Sequence, residues 1–281
     1  MKLSFFTLAF IVVYSAVTGQ TSTFSYKTKN GNQIIILSEG QFQRAADNLI
    51  GTTPEILAET APNGDYPMAT NAFFVRTSTG KNVLIDAGVN QVPLVYNLSK
   101  HNITPEMIDI ILITHMHRDH IGGLLDANGM KTFPNANLHI AKTEYAHWYV
   151  ENPENPTQIS ASALINAYRN NLTLFEPHTT FAEGIIRSLP NFGHTPGHTV
   201  FLVDNVLFWG DMVHSMAIQM SHPTVAIAFD VDSGKAVEAR LKMLKHIVEN
   251  NFSVAGAHIP FPGMGTLKSN GRGGFVFTAK E

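Results

Sequence analysis

The feature that most constrains this chain is a six-residue run, His115-Met116-His117-Arg118-Asp119-His120. Three imidazoles and a carboxylate in so short a stretch suit a borderline divalent cation such as zinc. The apolar segment Ile108–Thr114 runs directly into it and Ile121-Gly122-Gly123 follows, so it reads as a loop anchored at a strand end. There, alternate residues can face one ion and the later pair a second. Such a site needs further ligands from distant parts of the chain, each delivered by another strand end.

The rest of the sequence offers those strand ends. Gln33–Leu37, Ala72–Thr77, Asn82–Ile85, Leu138–Ala141, Ile185–Leu189, Thr199–Val203, Val206–Trp209 and Phe252–Ala255 are short runs rich in Ile, Val, Leu and Phe, and read as buried strands. Thr143–Val150, Gln158–Asn170 and Ser233–Glu249 read as helices. In the last, Ser233 is the expected cap, and Val237, Leu241, Leu244 and Val248 fall at helical spacing. Thr60–Pro67 and Asn152–Pro156 read as loops. No internal repeat is visible, and the mixture predicts a layered α/β fold. Three candidate ligands then stand out. His198 closes Gly193-His194-Thr195-Pro196-Gly197-His198 just before a strand, Asp211 follows Val206–Trp209 through Gly210, and His258 follows Phe252–Ala255.

Composition narrows the class. Residues 1–19 run from a positive start through an apolar stretch to small residues at Val17-Thr18-Gly19, the order of a signal peptide. The apolar run is shorter than the roughly 20 residues of a spanning helix. The expectation is a secreted or periplasmic protein with residues 20–281 as one domain and no stable membrane anchor. The chain has no cysteine. It therefore lacks both disulfides and a lipoprotein cleavage site, and must rest on a packed core. A net charge of −3, with no Lys/Arg cluster, argues against a nucleic-acid partner. A homodimer is compatible with the sequence.

Taken together, Thr114–Gly123, Gly193–His198, Gly210-Asp211 and Ala257-His258 resemble the metallo-β-lactamase superfamily, in its order. The resemblance implies an αββα sandwich of two mixed sheets flanked by helices. It assigns His115, His117 and His198 to one metal ion, and Asp119, His120 and His258 to a second. Asp211 bridges the two ions, taken as Zn2+, and Asp86 orients ligands. With Asp211 present and cysteine absent, antibiotic hydrolysis is disfavoured. The short tail from Gly263 disfavours glyoxalase-II-like thioester hydrolysis. Asp211–His214, Gln219, Ser221–Pro223, Phe229–Asp232, Ala239-Arg240, Gly256–Gly263 and Phe275–Phe277 are similar to a group holding secreted N-acyl-homoserine lactone lactonases and methyl-parathion-hydrolase-like enzymes. Many such lactonases carry a tyrosine shortly after the bridging Asp; here Met212, Val213 and His214 follow.

The expected chemistry is attack by a hydroxide shared between two metals, which lower the pKa of water. Asp119 is the expected proton carrier, and His214 a candidate in place of the tyrosine. The substrate is expected to be a lactone or ester with an apolar chain. Met68, Phe73, Met116, Phe133, Trp148, Met212, Ile218 and Met220 are candidate pocket walls, with ordinary core packing as their alternative. Of the remaining histidines, His194 and His222 are undecided. A phosphotriesterase, an iron-dependent oxidoreductase on the same fold and a non-enzymatic metal-binding protein remain open at this point.

Overall fold

The run Gln33–Leu37 sets the architecture. Ile34 and Ile36 point to one face of a strand, Ile35 and Leu37 to the other, and all four are 0% exposed. A strand covered on both faces needs a layer above and below it. The structure, a computed structural model, describes residues 22–151 and 156–281. The expected signal segment 1–19 lies outside the described residues. Among those described, no helix is long and apolar enough to cross a membrane.

In chain order the strands begin with β1 (Ser22–Lys27), β2 (Gln33–Ala45), β3 (Leu49–Ile50), β4 (Asp65–Arg76), β5 (Asn82–Ile85), β6 (Ile110–Leu112), β7 (Asn137–Ala141) and β8 (Leu172–Phe175). They continue with β9 (Thr180–Phe181), β10 (Ile186–Pro190), β11 (Thr199–Val203), β12 (Val206–Phe208), β13 (Ala226–Ile227), β14 (Ser253–Ala255), β15 (Met264–Ser269) and β16 (Phe275–Ala279). The α-helices are α1 (Pro54–Thr60), α2 (Gln91–Ser99), α3 (Arg118–Ile121), α4 (Lys142–Tyr145), α5 (Pro156–Tyr168), α6 (Met216–Gln219) and α7 (Ser233–Glu249). One seven-stranded sheet runs β1-β2-β4-β5-β6-β7-β8 and the other β16-β15-β14-β12-β11-β10-β9. Both are mixed: β5 to β8 pair in parallel in the first, and β12 with β14 in the second.

Three apolar layers hold the sandwich together. Between the sheets, Ile34, Ile36, Phe73, Val83 and Leu112 meet Phe201, Val206, Phe208 and Ala255. Outside the first sheet, Ile35, Leu37, Phe74 and Ile111 pack on Leu94 and Leu98 of α2 and on Ala161, Leu164 and Ile165 of α5. Outside the second, Val200, Leu207 and Val254 pack on Met243, Leu244 and Ile247 of α7. This is the αββα sandwich of two mixed sheets implied by the resemblance.

Three local features differ from the sequence reading. The segment Thr60–Pro67 is not all loop. β4 starts at Asp65 and β2 continues to Ala45, pairing Phe42 with Met68 and Arg44 with Tyr66 beyond a bulge at Ser38/Gly40. This extension is stabilised by Tyr66 and Met68 packing on Leu49, Ile218 and Ile227. The expected helix Thr143–Val150 divides into α4 and a wider π turn, Ala146–Glu151. In α7, Asp232 rather than Ser233 is the cap, accepting from Lys235 N–H at 3.0 Å. The buried stripe is Ala236, Arg240, Met243, Leu244 and Ile247. Arg240 can lie in it because its guanidinium donates to the carbonyls of Met212, Pro223 and Val225.

Candidate metal centre

The site lies where chain segments leave the C-terminal ends of strands in both sheets. Asp86 follows β5, His115–His120 follow β6, His194 follows β10, Asp211 follows β12 and His258 follows β14. Backbone hydrogen bonds lock these segments together: Asp86 N–H to Leu112 O at 3.0 Å, Thr199 N–H to Thr114 O at 2.9 Å, and Asn71 N–H to Ala257 O at 2.9 Å. Gly210 sits in the left-handed region at φ +53, beside His198 and Thr114. It turns the chain so that Asp211 points inward.

Two groups of ligand atoms result. His115, His117, His194 and Asp211 form one, and Asp119, His120, Asp211 and His258 the other, with all atoms of each within 4.8 Å of one another. His194 Nε2 lies 3.2 Å from His115 Nε2, 3.0 Å from His117 Nδ1 and 3.3 Å from Asp211 Oδ2. On the other side, Asp211 Oδ1 lies 2.9 Å from His120 Nε2 and 3.1 Å from His258 Nε2. Asp119 Oδ2 is 3.5 Å from His258 Nε2 and 3.9 Å from His120 Nε2. Tetrahedral zinc with bonds of about 2.0–2.1 Å puts its ligand atoms roughly 3.3 Å apart. Asp211 gives one oxygen to each group, as a bridging carboxylate must.

The donor set fits a pair of divalent ions. His120 Nε2 and Asp211 Oδ1 are buried with no hydrogen-bond partner, although only 2.9 Å separates them. Buried polar atoms are rarely left so; a shared cation accounts for both. The opposite ring nitrogens are held in place. His120 Nδ1 lies 2.8 Å from Asp86 Oδ2, His194 Nδ1 2.8 Å from Asp230 Oδ1, and His258 Nδ1 2.9 Å from Ala69 O. Burial, reinforced by His120, holds His115 neutral, and burial with His194 pushes His117 down to about 3. Neutral imidazole is the ligating form. His120, His194 and His258 are shifted the other way: against burial, Asp211 and neighbouring acids pull them above the usual imidazole range, His194 to about 9, so a cation would take the place of a proton there. Although burial opposes the charge of Asp211, His120 and then His258 keep its carboxyl well below the usual range.

His198 is a correction. It does not join the first group, and His194 takes that place. Both nitrogens of His198 are already committed: Nδ1 lies 3.0 Å from Asn191 O, and Nε2 accepts from Asp211 N–H at 3.0 Å. Burial, then His194, push it down to about 3, so its ring stays neutral and fixes the backbone of Asp211. The other six expected ligands, His115, His117, Asp119, His120, Asp211 and His258, converge. His214 also reaches the centre, with Nε2 3.0 Å from Asp211 Oδ2 and its main-chain N–H on Gln219. Burial pushes it down to about 4, so it carries a single N–H, directed at Asp211. His222 stays apart, 3.8 Å from Glu59.

A cavity of ≈ 500 Å³ opens over the centre, lined by Phe42, Met68, Val89, Trp148, Phe229 and Val231 together with His117, Asp119 and His214. Arg44 lies over the Phe229 ring, 4.8 Å from its centroid, and fixes it at the mouth. Of the expected wall residues, Met68 and Trp148 line the cavity. Phe73, Met116, Phe133, Met212, Ile218 and Met220 are core residues. The sequence reading assigned no role to Asp230, Glu39 or Glu144, three buried or half-buried acids next to the site. Asp230 lies in the Phe229–Asp232 segment that carries the resemblance; the only signal of Glu39 and Glu144 is an acid beside an apolar run.

Glu39 gives a pH prediction. It accepts from Val89 N–H at 3.0 Å and Asn90 N–H at 3.3 Å under the loop that lines the cavity. Burial pushes its carboxyl up from 4.5 to about 7. The folded state thus binds this proton more tightly than the unfolded one, and stability falls as pH rises from about 4.5 through 7. In metal-free protein, Glu39→Gln is expected to remove that slope. The variant should gain on wild type by at most about 3 kcal/mol across the window. Urea titrations at several pH values check it; parallel stability curves for the two proteins count against it.

Comparison with known proteins follows the same lines. Residues 65–248 match the profile of the metallo-beta-lactamase superfamily. The hydrolase AbOPH, described as in the beta lactamase superfamily, superimposes with a TM-score of 0.82 at 25% identity, over 93% of this chain and 98% of its own. AidC, a dizinc quorum-quenching lactonase solved with the product N-hexanoyl-L-homoserine, gives 0.80 at 26% identity, over 92% and 98%. Hydroxyacylglutathione hydrolase 2 of Vibrio vulnificus (strain YJ016) is 29% identical over 161 residues, 57% of this chain and 52% of that protein. The chain thus spans about half the length of the curated relatives it matches.

Proposed function

The chain belongs to the metallo-beta-lactamase superfamily, and from that membership we propose that it opens the ring of N-acyl-homoserine lactones. At the coarser level it is a metal-dependent hydrolase with a dinuclear His/Asp site. The observation that carries the finer reading is a bridged two-metal donor set on the floor of a cavity with an apolar wall, Arg44, Thr70 and Arg118 adding polar groups to the lining. Phe42, Met68, Val89, Phe229 and Val231 offer an acyl chain a wall it can slide along, and a thioether adapts to its bends. The likeness to AidC over nearly the full chain supports the same choice.

Two divalent ions held by these donors, in this reading Zn2+, would polarise a lactone carbonyl and supply the attacking nucleophile at neutral pH. The chain's own groups do the rest. Asp119, half-buried and facing the cavity, carries the proton toward the leaving alkoxide. His214 donates to Asp211 and keeps its carboxylate aligned between the two groups, which makes it a positioning residue in this reading. Trp148 closes the wall beside His117, with ring centroids 5.4 Å apart. The N-terminal 19 residues are proposed to direct export; protein recovered outside the cytoplasm should then begin at Gln20.

The test uses zinc- or cobalt-loaded protein and a series of acyl-homoserine lactones, followed by acid release. Turnover is expected to vanish on chelation, to return with metal, and to be abolished in His115→Ala. Within the reach of the cavity, kcat/KM should rise by up to about fourfold per buried methylene. Rapid phosphotriester hydrolysis without lactone turnover would replace this reading with a phosphotriesterase. Redox-active iron with oxygen consumption would replace it with an oxidoreductase.

A further inference from the structure

We propose that Glu144 is the positioning residue of the first ligand group, a single buried carboxylate that fixes the loop of His115 and His117, the loop of His194, and the cavity wall at Trp148. Glu144 is 1% exposed and belongs to neither ligand group. Its Oε1 accepts from Met116 N–H at 2.8 Å and from Trp148 Nε1–H at 2.6 Å. Its Oε2 accepts from Thr195 Oγ1–H at 2.7 Å and from Gly197 N–H at 3.0 Å. Met116 lies between two ligands, and Thr195 follows the third. One side chain thus gathers groups 28, 51 and 53 residues away in sequence.

The arrangement leaves no slack. A Cβ at Gly197 would come within 2.3 Å of the Glu144 backbone nitrogen, so the His194 loop lies directly against α4. No cation pairs with Glu144 among the described residues. Burying an unpaired carboxylate is costly, and an apolar side chain would fill the space at lower cost. What an apolar side chain cannot do is accept four hydrogen bonds in fixed directions. Two of the donors adjoin the ligands: the Met116 N–H between His115 and His117, and the Thr195 hydroxyl next to His194. The reach to Trp148 extends this control to the wall beside His117.

The inference rests on the metal centre and not on which ester is cleaved. It is therefore tested by metal affinity. Zn2+ is titrated against a competing chelator in wild type, Glu144→Gln and, as a control, Asp204→Asn. Asp204 accepts from Asn30 and Asn32 in a turn contact outside both ligand groups and the cavity. Glutamine offers one acceptor oxygen, and its NH2 faces two donors. Glu144→Gln is expected to weaken Zn2+ binding by about 10–100-fold, the cost of losing a supporting partner, while Asp204→Asn binds as wild type does. If Glu144→Gln does not fold, Thr195→Val, which removes one of the four donors, is titrated instead, with about tenfold weaker binding expected. Wild-type affinity in the folded variant overturns the proposal. So does an equal loss in Asp204→Asn, because the effect would then be one of general stability.

Discussion

His194→Ala loses one metal ion and at least about 100-fold of turnover, whereas His198→Gln keeps both ions. The magnitude for His194 lies at or above the upper end of what losing a mere supporting partner costs, because here a ligand itself goes. His194 Nε2 stands within 3.3 Å of His115, His117 and Asp211 atoms, and alanine leaves three donors where four converged. His198 has no free nitrogen to offer. Replacing it breaks its contacts to Asn191 O and Asp211 N–H, each buried, and costs stability on the order of 1–3 kcal/mol per unsatisfied group. In a domain of this size that lowers Tm by roughly 2–4 °C for each kcal/mol. Elemental analysis after desalting, with thermal unfolding alongside, reads both effects. One ion in His198→Gln and two in His194→Ala would restore the assignment implied by the resemblance.

The two histidines show what the sequence conveyed and where it stopped. Gly193–His198 marks a turn that delivers an imidazole to a strand end, and that much is correct. Which ring points inward depends on partners outside the turn, Asp230 for His194 and Asn191 with Asp211 for His198. No local periodicity exists in such a turn to decide it. The run His115–His120, by contrast, was legible because its ligands are neighbours on one strand exit. The sandwich was legible for a similar reason. Ile34–Leu37 cannot be buried on both faces by any single partner layer. The cavity wall was not legible. Phe42 lies in the polar half of β2, and Phe229 and Val231 lie in a loop, so none shows an apolar pattern. Six apolar residues near the site motifs instead face the core, since the layers behind the loops need filling first.

Asp211→Asn is expected to hold no more than one ion per chain and to lose about three orders of magnitude in turnover. Asp211 lies 2.9 Å from His120, 3.0 Å from His214, 3.1 Å from His258, 3.3 Å from His194 and 3.6 Å from His115. Two doubly charged ions roughly 3.5–4 Å apart repel by about 15–20 kcal/mol at an effective dielectric of 20. The carboxylate between them is the group placed to offset this, one oxygen toward each ligand set. Asparagine keeps the shape and removes the charge, so the repulsion goes uncompensated and the less tightly held ion leaves. Removing one partner of a buried charged pair costs about 3–5 kcal/mol, and about 4 kcal/mol corresponds to a thousandfold in rate. Asp211→Glu separates charge from position. It retains the negative charge but pushes it one methylene into the His120 and His258 rings, so it should recover the second ion more than the turnover. Metal content and kcat measured on the same samples decide the matter. Two fully occupied ions in Asp211→Asn, with turnover within tenfold of wild type, would show that the bridge lies elsewhere.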